Sequence, residues 1–160
     1  MMKKLVLAAM AVMLSAGVAL AGGWASDKGL DKVTLKGELV CVGCSLKKLD
    51  GANAQCNLYA HHAIGFRTAD GLLWSIVDND KGHDVIRAHR LLEKGVKATI
   101  SGWIYPVAHF IEIDSIEVEG VTMAQIQQSG LEEDHLIAKR LASRKLGEVP
   151  TMEHDHGHSH

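Results

Sequence analysis

Five short segments in which apolar and polar residues alternate constrain the fold of this 160-residue chain more than any other feature. Alternation with a period of two is typical of strands that are buried on one face. Between the third and fourth segments, the sequence predicts a short helix from Val85 to Lys94, capped by Asp84 and closed by Gly95. The order strand, strand, strand, helix, strand, strand indicates a mainly β fold with α additions. The predicted strands are Val33–Val40, Ala63–Thr68, Leu72–Val77, Val96–Tyr105 and Phe110–Val118.

Two details of the alternation predict how these strands are joined and oriented. Asp70-Gly71, between the second and third strands, indicates a β-hairpin. In the last strand the apolar phase slips by one residue at Asp114 and Ser115, which predicts a β-bulge. The phase of the hairpin directs one set of side chains to a shared buried face. That set is Ile64, Phe66, Leu72, Trp74 and Ile76.

The segment 121–147 has the pattern of two C-terminal helices. Thr122 with Gln125, and then Ser129 with Glu132, each fit the capping-box pattern that begins a helix. Acidic residues open the second predicted helix and basic residues close it, which suits the helix dipole.

The order of elements resembles that of the oligonucleotide/oligosaccharide-binding (OB) fold, a small five-stranded Greek-key barrel. The block Val96–Val118 carries a glycine-containing strand, a short loop and the run Phe110-Ile-Glu-Ile-Asp-Ser-Ile116. It looks like the closing hairpin of exported bacterial OB-fold domain proteins. The resemblance covers about residues 33–118. It implies a barrel domain over 33–120, followed by C-terminal helices, and by itself implies no activity.

The N-terminus predicts export. Residues 1–21 combine two lysines, an uninterrupted apolar run and the small-x-small site Ala19-Leu20-Ala21, which are together typical of a cleavable signal peptide. The apolar run is shorter than the roughly 20 residues that a membrane span requires. We therefore expect a periplasmic or secreted mature chain without a membrane span. It would start at Gly22, with a short segment 22–32 before the barrel.

Charge and motif content narrow the classes of function. With 17 Lys+Arg against 19 Asp+Glu, the chain has a formal net charge of −2, which excludes a basic nucleic-acid binder. No Ser-His-Asp arrangement and no glycine-rich phosphate motif stands out, so the sequence favours a non-enzymatic protein.

The connection between the first two strands carries the most specific chemical signal. Cys41 and Cys44 form a Cys-x-x-Cys pair at the end of a strand, and Cys56 and His61 follow. Three thiolates and one imidazole would make a tetrahedral Cys3His set, which suits zinc or a similar transition metal. His62 is the alternative fourth ligand, because neighbouring residues of a strand point to opposite faces.

The three cysteines of the 41–62 loop also allow other chemistry, since exported proteins meet oxidants. A disulfide between Cys44 and Cys56 would leave one thiol over, and a bridge between Cys41 and Cys44 would be of the redox type, with Cys56 resolving it. The odd cysteine count and the adjacent histidines favour the metal. Ser45 follows the pair where a haem attachment motif requires His, so haem is excluded. The alternative functions are a thiol redox or electron-transfer accessory protein, and an envelope protein-interaction module with structural cysteines.

The last residues, 148–160, form a His-rich tail that we expect to be disordered. Alternating imidazoles in a mobile segment are suited to capturing transition-metal ions. The predicted capture residues are His154, His156, His158 and His160.

Three further side chains are predicted to lie at the surface. Trp103 is in the phase opposite to the buried series of the fourth strand, which makes it a candidate for a partner surface. His83 and His89 flank the predicted short helix and are interpreted as cap and surface residues.

Overall fold

The computed structural model of the chain describes residue 28, residues 30–51 and residues 63–147. The chain divides into two units between Asp31 and Lys32. All the strands and helices described below belong to the second unit.

Five strands form a closed barrel in the order β1-β2-β3-β5-β4. All neighbouring strands are antiparallel except β3 and β5, which run parallel over two residue pairs. The barrel confirms the predicted mainly β fold and is compatible with an OB-fold. The strands are β1 Val33–Cys41, β2 Ile64–Thr68, β3 Leu73–Ile76, β4 Lys94–Tyr105 and β5 Phe110–Val118.

The barrel core confirms most of the predicted inward phase. Ile64, Phe66, Trp74 and Ile76 are all buried, as expected. Leu72 is the exception, because its side chain is 45% exposed. The backbone N–H of Thr68 donates to the Leu72 carbonyl at 3.0 Å, so Leu72 belongs to the hairpin turn and β3 begins one residue later.

A β-bulge on β5 confirms the slip read from the sequence. Ser101 pairs with Ser115 and the next residue, Gly102, pairs with Ile113, so Asp114 is the extra residue. Its carboxylate accepts from the Lys32 ammonium at 2.6 Å and from the Lys81 ammonium at 2.7 Å. Lys81 also donates to the Asp114 backbone carbonyl at 2.8 Å. This bond supplies a partner for a carbonyl group of the extra residue, which does not pair with β4.

Four helices occur in the described part of the chain: α1 Val42–Asp50, α2 His83–Arg87, α3 His89–Leu92 and α4 Met123–Ala142. The single helix predicted between β3 and β4 is therefore two short ones, with a break at Ala88. Asp84 does not cap it, because α2 already begins at His83. The Asn79 side chain accepts from the Gly82 N–H at 2.9 Å, and this turn leads directly into α2.

A single helix, α4, replaces the two C-terminal helices predicted from the sequence. Thr122 and Gln125 form the expected capping box at its start. The second box, at Ser129, is not used, because Gly130 lies inside the helix and against α2. A Cβ on Gly130 would be 3.1 Å from the Asp84 backbone, so the glycine is explained by this close approach.

A buried and an exposed leucine or isoleucine position of the barrel domain can be compared by paired substitutions. Ile100→Ala removes a fully buried side chain from β4 and is expected to cost about 2–5 kcal/mol of unfolding free energy. Leu72→Ala is the matched control and is expected to cost less than about 1 kcal/mol, because the side chain is half in solvent. Urea unfolding measures both values. Similar costs for the two variants would contradict the exposed placement of Leu72.

The two lysines at the bulge predict an acid-dependent contribution to stability. Hydrogen bonds from Lys32 and then Lys81 lower the pKa of Asp114 to about 2, below its ordinary value of about 3.9. Because the folded pKa is depressed, the stabilisation is complete above pH ~4 and is lost as the pH falls through about 2. Asp114→Asn should therefore lower stability at neutral pH, with a difference from the parent that disappears near pH 2. A difference that is independent of pH would exclude a role for the charge.

Candidate functional site

The Cys-x-x-Cys pair lies where β1 turns into α1. Cys41 is the last residue of β1 and the N-cap of α1, with extended backbone angles (φ −64°, ψ 122°). Its Sγ accepts a hydrogen bond from the Cys44 N–H at 3.5 Å. Cys41 is 1% exposed, whereas Cys44 is partly exposed. Both sulfur-bearing residues therefore belong to the first turn of one helix, and within the described part of the chain no disulfide joins them.

The start of β2 is held against this same helix end. Cys41 pairs with Ile64, and the Val42 N–H donates to the Ala63 carbonyl at 3.0 Å. Gly65 makes the approach possible, because a Cβ there would be 2.8 Å from the Val42 Cγ2 atom and from the Trp74 carbonyl. The chain that leaves the Cys-x-x-Cys pair thus re-enters the barrel beside it.

The remaining predicted ligands lie outside the described residues. Cys56, His61 and His62 belong to the 52–62 segment, and the tail histidines follow residue 147. Across residues 30–51 and 63–147, no group of three His, Cys, Asp or Glu side chains is close enough to hold a metal ion. The described part of the chain contributes two cysteines of the predicted set.

The first half of the predicted loop is helical, which corrects the sequence interpretation. Residues after Cys44 continue α1 to Asp50, and Gly51 closes the helix with a left-handed φ of 61°. The residues of α1 after Ser45 are exposed, whereas Ser45 itself is buried. The sequence did not predict α1 because the composition of this segment is polar, since only one face of the helix contacts the barrel.

Trp103 is half-buried on the outer face of β4, the side that its phase predicts. The Lys32 ammonium lies 5.1 Å from the centre of its ring, in the range of a cation–π interaction. The same ammonium binds Asp114 at the bulge. The face of Trp103 therefore already contacts a cation, and its role as a partner surface stays a prediction.

A groove of about 720 Å³ is lined by residues of β1, β2, β4 and β5. Its lining mixes cations and anions, including Lys36, Lys97, Glu117 and the ion pair between Arg67 and Glu38 at 2.7 Å. A lining with both signs of charge does not favour the binding of a polyanion in this groove.

His83 lies in a charged cluster that the sequence did not reveal. Its Nδ1 is 2.7 Å from the Asp78 carboxylate and its Nε2 is 2.8 Å from the Asp134 carboxylate. Hydrogen bonds to Asp134 and then Asp78 raise the pKa of His83 above its usual value near 6.5. Asp134 is 51 residues away in the chain, so no local pattern signals this contact.

His89 is not the surface residue that was predicted. It is 4% exposed within α3, and its Nε2 lies 3.3 Å from the Glu93 carboxylate one turn later.

Comparison with known proteins assigns no function to this chain, so the function has to be inferred from the residues described above. No protein-family model matches the chain, and no curated protein or solved structure is significantly similar to it. Of the described helices, none combines the length and apolar character needed to cross a membrane.

The unequal burial of the two cysteines predicts unequal reactivity. In the reduced, chelator-treated protein, iodoacetamide should alkylate Cys44 at least about tenfold faster than Cys41, because thiol reactivity follows access to solvent. Peptide mass spectrometry after timed quenching measures the two rates, and the urea-unfolded chain is the control in which they should converge. Faster modification of Cys41 would contradict its buried placement at the N-cap.

Proposed function

We propose that this chain is an exported, non-enzymatic metal-binding barrel protein with zinc or a similar transition metal held by Cys41, Cys44, Cys56 and His61. The observation that carries the proposal is the position of the Cys-x-x-Cys pair at the N-terminus of α1, beside the first residues of β2. His61 and His62 immediately precede Ala63 in the sequence. The Ala63 carbonyl accepts the Val42 N–H at 3.0 Å, so the residue that follows His62 in the sequence lies beside the cysteine pair.

The donor chemistry of the described residues fits a thiophilic ion. The Cys41 sulfur accepts an N–H bond from Cys44, and hydrogen bonds of this kind stabilise the negative charge of a metal-bound thiolate. The N-terminus of a helix adds a positive electrostatic potential that favours thiolates further. When bound, zinc would supply a four-coordinate cross-link without redox chemistry. Such a link would fasten the 52–62 segment to the barrel rim.

The His-rich tail supports a handling role in the same proposal. Four alternating imidazoles, at His154, His156, His158 and His160, offer weak and adaptable ligands for metal capture. Together with the predicted signal peptide, they favour metal acquisition or delivery outside the cytoplasm, with another envelope protein as the expected recipient.

Metal analysis of matched variants tests this assignment. The full mature chain with its four tail histidines changed to Gln should retain close to one zinc ion per chain after dialysis. Cys56→Ser or Cys44→Ser in that background should release the ion while the barrel stays folded, because the strands do not depend on these thiols. His135→Gln is the matched control, since this exposed histidine of α4 is outside the proposed site.

Elemental analysis gives the stoichiometry, and circular dichroism verifies the fold. Undiminished zinc in the Cys56→Ser variant would refute the ligand set. Loss of zinc from the His135→Gln control would show that binding is non-specific.

A thiol redox function is the second candidate, and the helix position of the pair favours it too. Two thiols held within one helical turn can form an internal disulfide by exchange with the disulfide of a partner. In that reaction the Cys41 and Cys44 thiols lose two protons and two electrons, and a partner disulfide is reduced to two thiols. A reversible two-electron couple in the metal-free protein, combined with failure to retain zinc, would select this function. If the protein has neither property, the remaining candidate is an envelope interaction module with structural cysteines.

A further inference from the structure

His83 connects two elements of the fold through opposite sides of its ring. It is the first residue of α2, and it faces Asp78 of the preceding turn and Asp134 of α4. The two nitrogen–oxygen distances are 2.7 and 2.8 Å, both within strong hydrogen-bonding range. The ring therefore forms a bridge between the barrel side and the C-terminal helix.

This geometry requires a protonated ring. Ionised carboxylates only accept hydrogen bonds, so each ring nitrogen that faces one must carry a hydrogen. A neutral imidazole has one N–H and one lone pair, and the lone pair would then point at a carboxylate oxygen. Only the imidazolium satisfies Asp78 and Asp134 together, which agrees with the raised pKa of His83.

At the two carboxylates of the bridge, Asp78 and Asp134, the charges balance only while His83 is protonated. Arg87 of α2 lies 3.3 Å from Asp134 and 3.8 Å from Asp78. Two cations, His83 and Arg87, then face two carboxylates. On the same side, Arg90 of α3 approaches Glu133 of α4 at 3.9 Å, and Asp84 of α2 packs against the backbone of α4 at Gly130. Loss of the His83 proton leaves the carboxylates of this cluster in excess.

The bridge lies on the face by which α4 contacts the rest of the protein. Ile126 is fully buried and Gly130 is packed against Asp84. Asp134 follows at the same four-residue spacing, so the three residues form one stripe along the helix. The first two positions attach α4 by packing, and the third attaches it by charge.

We propose that His83, Asp78 and Asp134 form a pH-sensitive clasp that fastens α4 to the barrel when the imidazole is protonated and loosens it when the imidazole is neutral. Because the folded pKa of His83 is raised, the stabilisation is complete below the ordinary pKa near 6.5 and is lost as the pH rises through the folded value. Arg87 contacts the same two carboxylates, and Ile126 and Gly130 keep their packing, so α4 loosens and does not dissociate. None of the clasp residues belongs to the proposed metal-ligand set, so the two proposals can be tested separately.

Hydrogen exchange of the full mature chain tests the clasp directly. Protection factors of α4 amides around Ile126 and Gly130 should fall roughly two- to tenfold between pH 5.5 and pH 8.5, with the barrel strands unchanged. In His83→Gln the same amides should show the weaker protection at both pH values. The matched control His135→Gln, an exposed histidine on the same helix, should respond to pH as the parent does.

A titration by NMR keeps the proposal falsifiable without any variant. The His83 ring should titrate above 6.5 in the parent, and Asp134→Asn should lower that pKa. A His83 pKa at or below 6.5, pH-independent protection of α4 in the parent, or an unchanged pH response in His83→Gln would each overturn the clasp.

Discussion

Closure of the barrel depends on the first strand, which pairs along both of its edges. Gly37, Glu38, Leu39 and Val40 of β1 hydrogen-bond with β2 on one side and with β4 on the other. At Gly37 the strand approaches β2 closely, because a Cβ there would be 2.2 Å from the Arg67 carbonyl and 2.8 Å from the Phe66 ring. Without this close approach the sheet would keep two open edges, and an open edge is a site for non-native pairing.

The position of the candidate site follows from that closure. β1 ends at Cys41, and β2 begins at Ile64 directly opposite, so the connection between them must leave and return at one point on the barrel rim. The helix α1 begins on Cys41 itself, which puts both cysteines of the Cys-x-x-Cys pair at a helix N-terminus. The chemistry of this rim is therefore coupled to the strand pairing that holds the barrel shut. A change in the rim connection acts on residues that also belong to the barrel ladder.

Charged contacts fasten the parts of the chain that apolar packing leaves weakly attached. At the bulge, Lys32 and Lys81 both bind the Asp114 carboxylate. At the C-terminal helix, His83 and Arg87 bind Asp134 and thereby attach α4. Both clusters are partly exposed, so each contributes modestly and responds to pH, in contrast to the apolar core.

The sequence by itself determined the strands and their order. A period of two, the Asp-Gly turn and the slip at Asp114 are local signals, and each arises from backbone geometry within a few residues. The capping box at Thr122 is equally local, and the helix begins there as predicted. The Cys-x-x-Cys spacing also identified the candidate site, although not that Cys41 would cap a helix.

Only the tertiary structure decided where longer-range contacts override those signals. Ser129 fits a capping box, yet the helix continues through it because Gly130 packs against α2. Leu72 fits the buried phase, yet the turn that closes on Thr68 leaves it in solvent. The His83 bridge joins residues separated by 51 positions, and no periodicity of the chain records such a contact. Local propensity decides what a segment can form, whereas the neighbours that folding brings together decide which of those forms is stable.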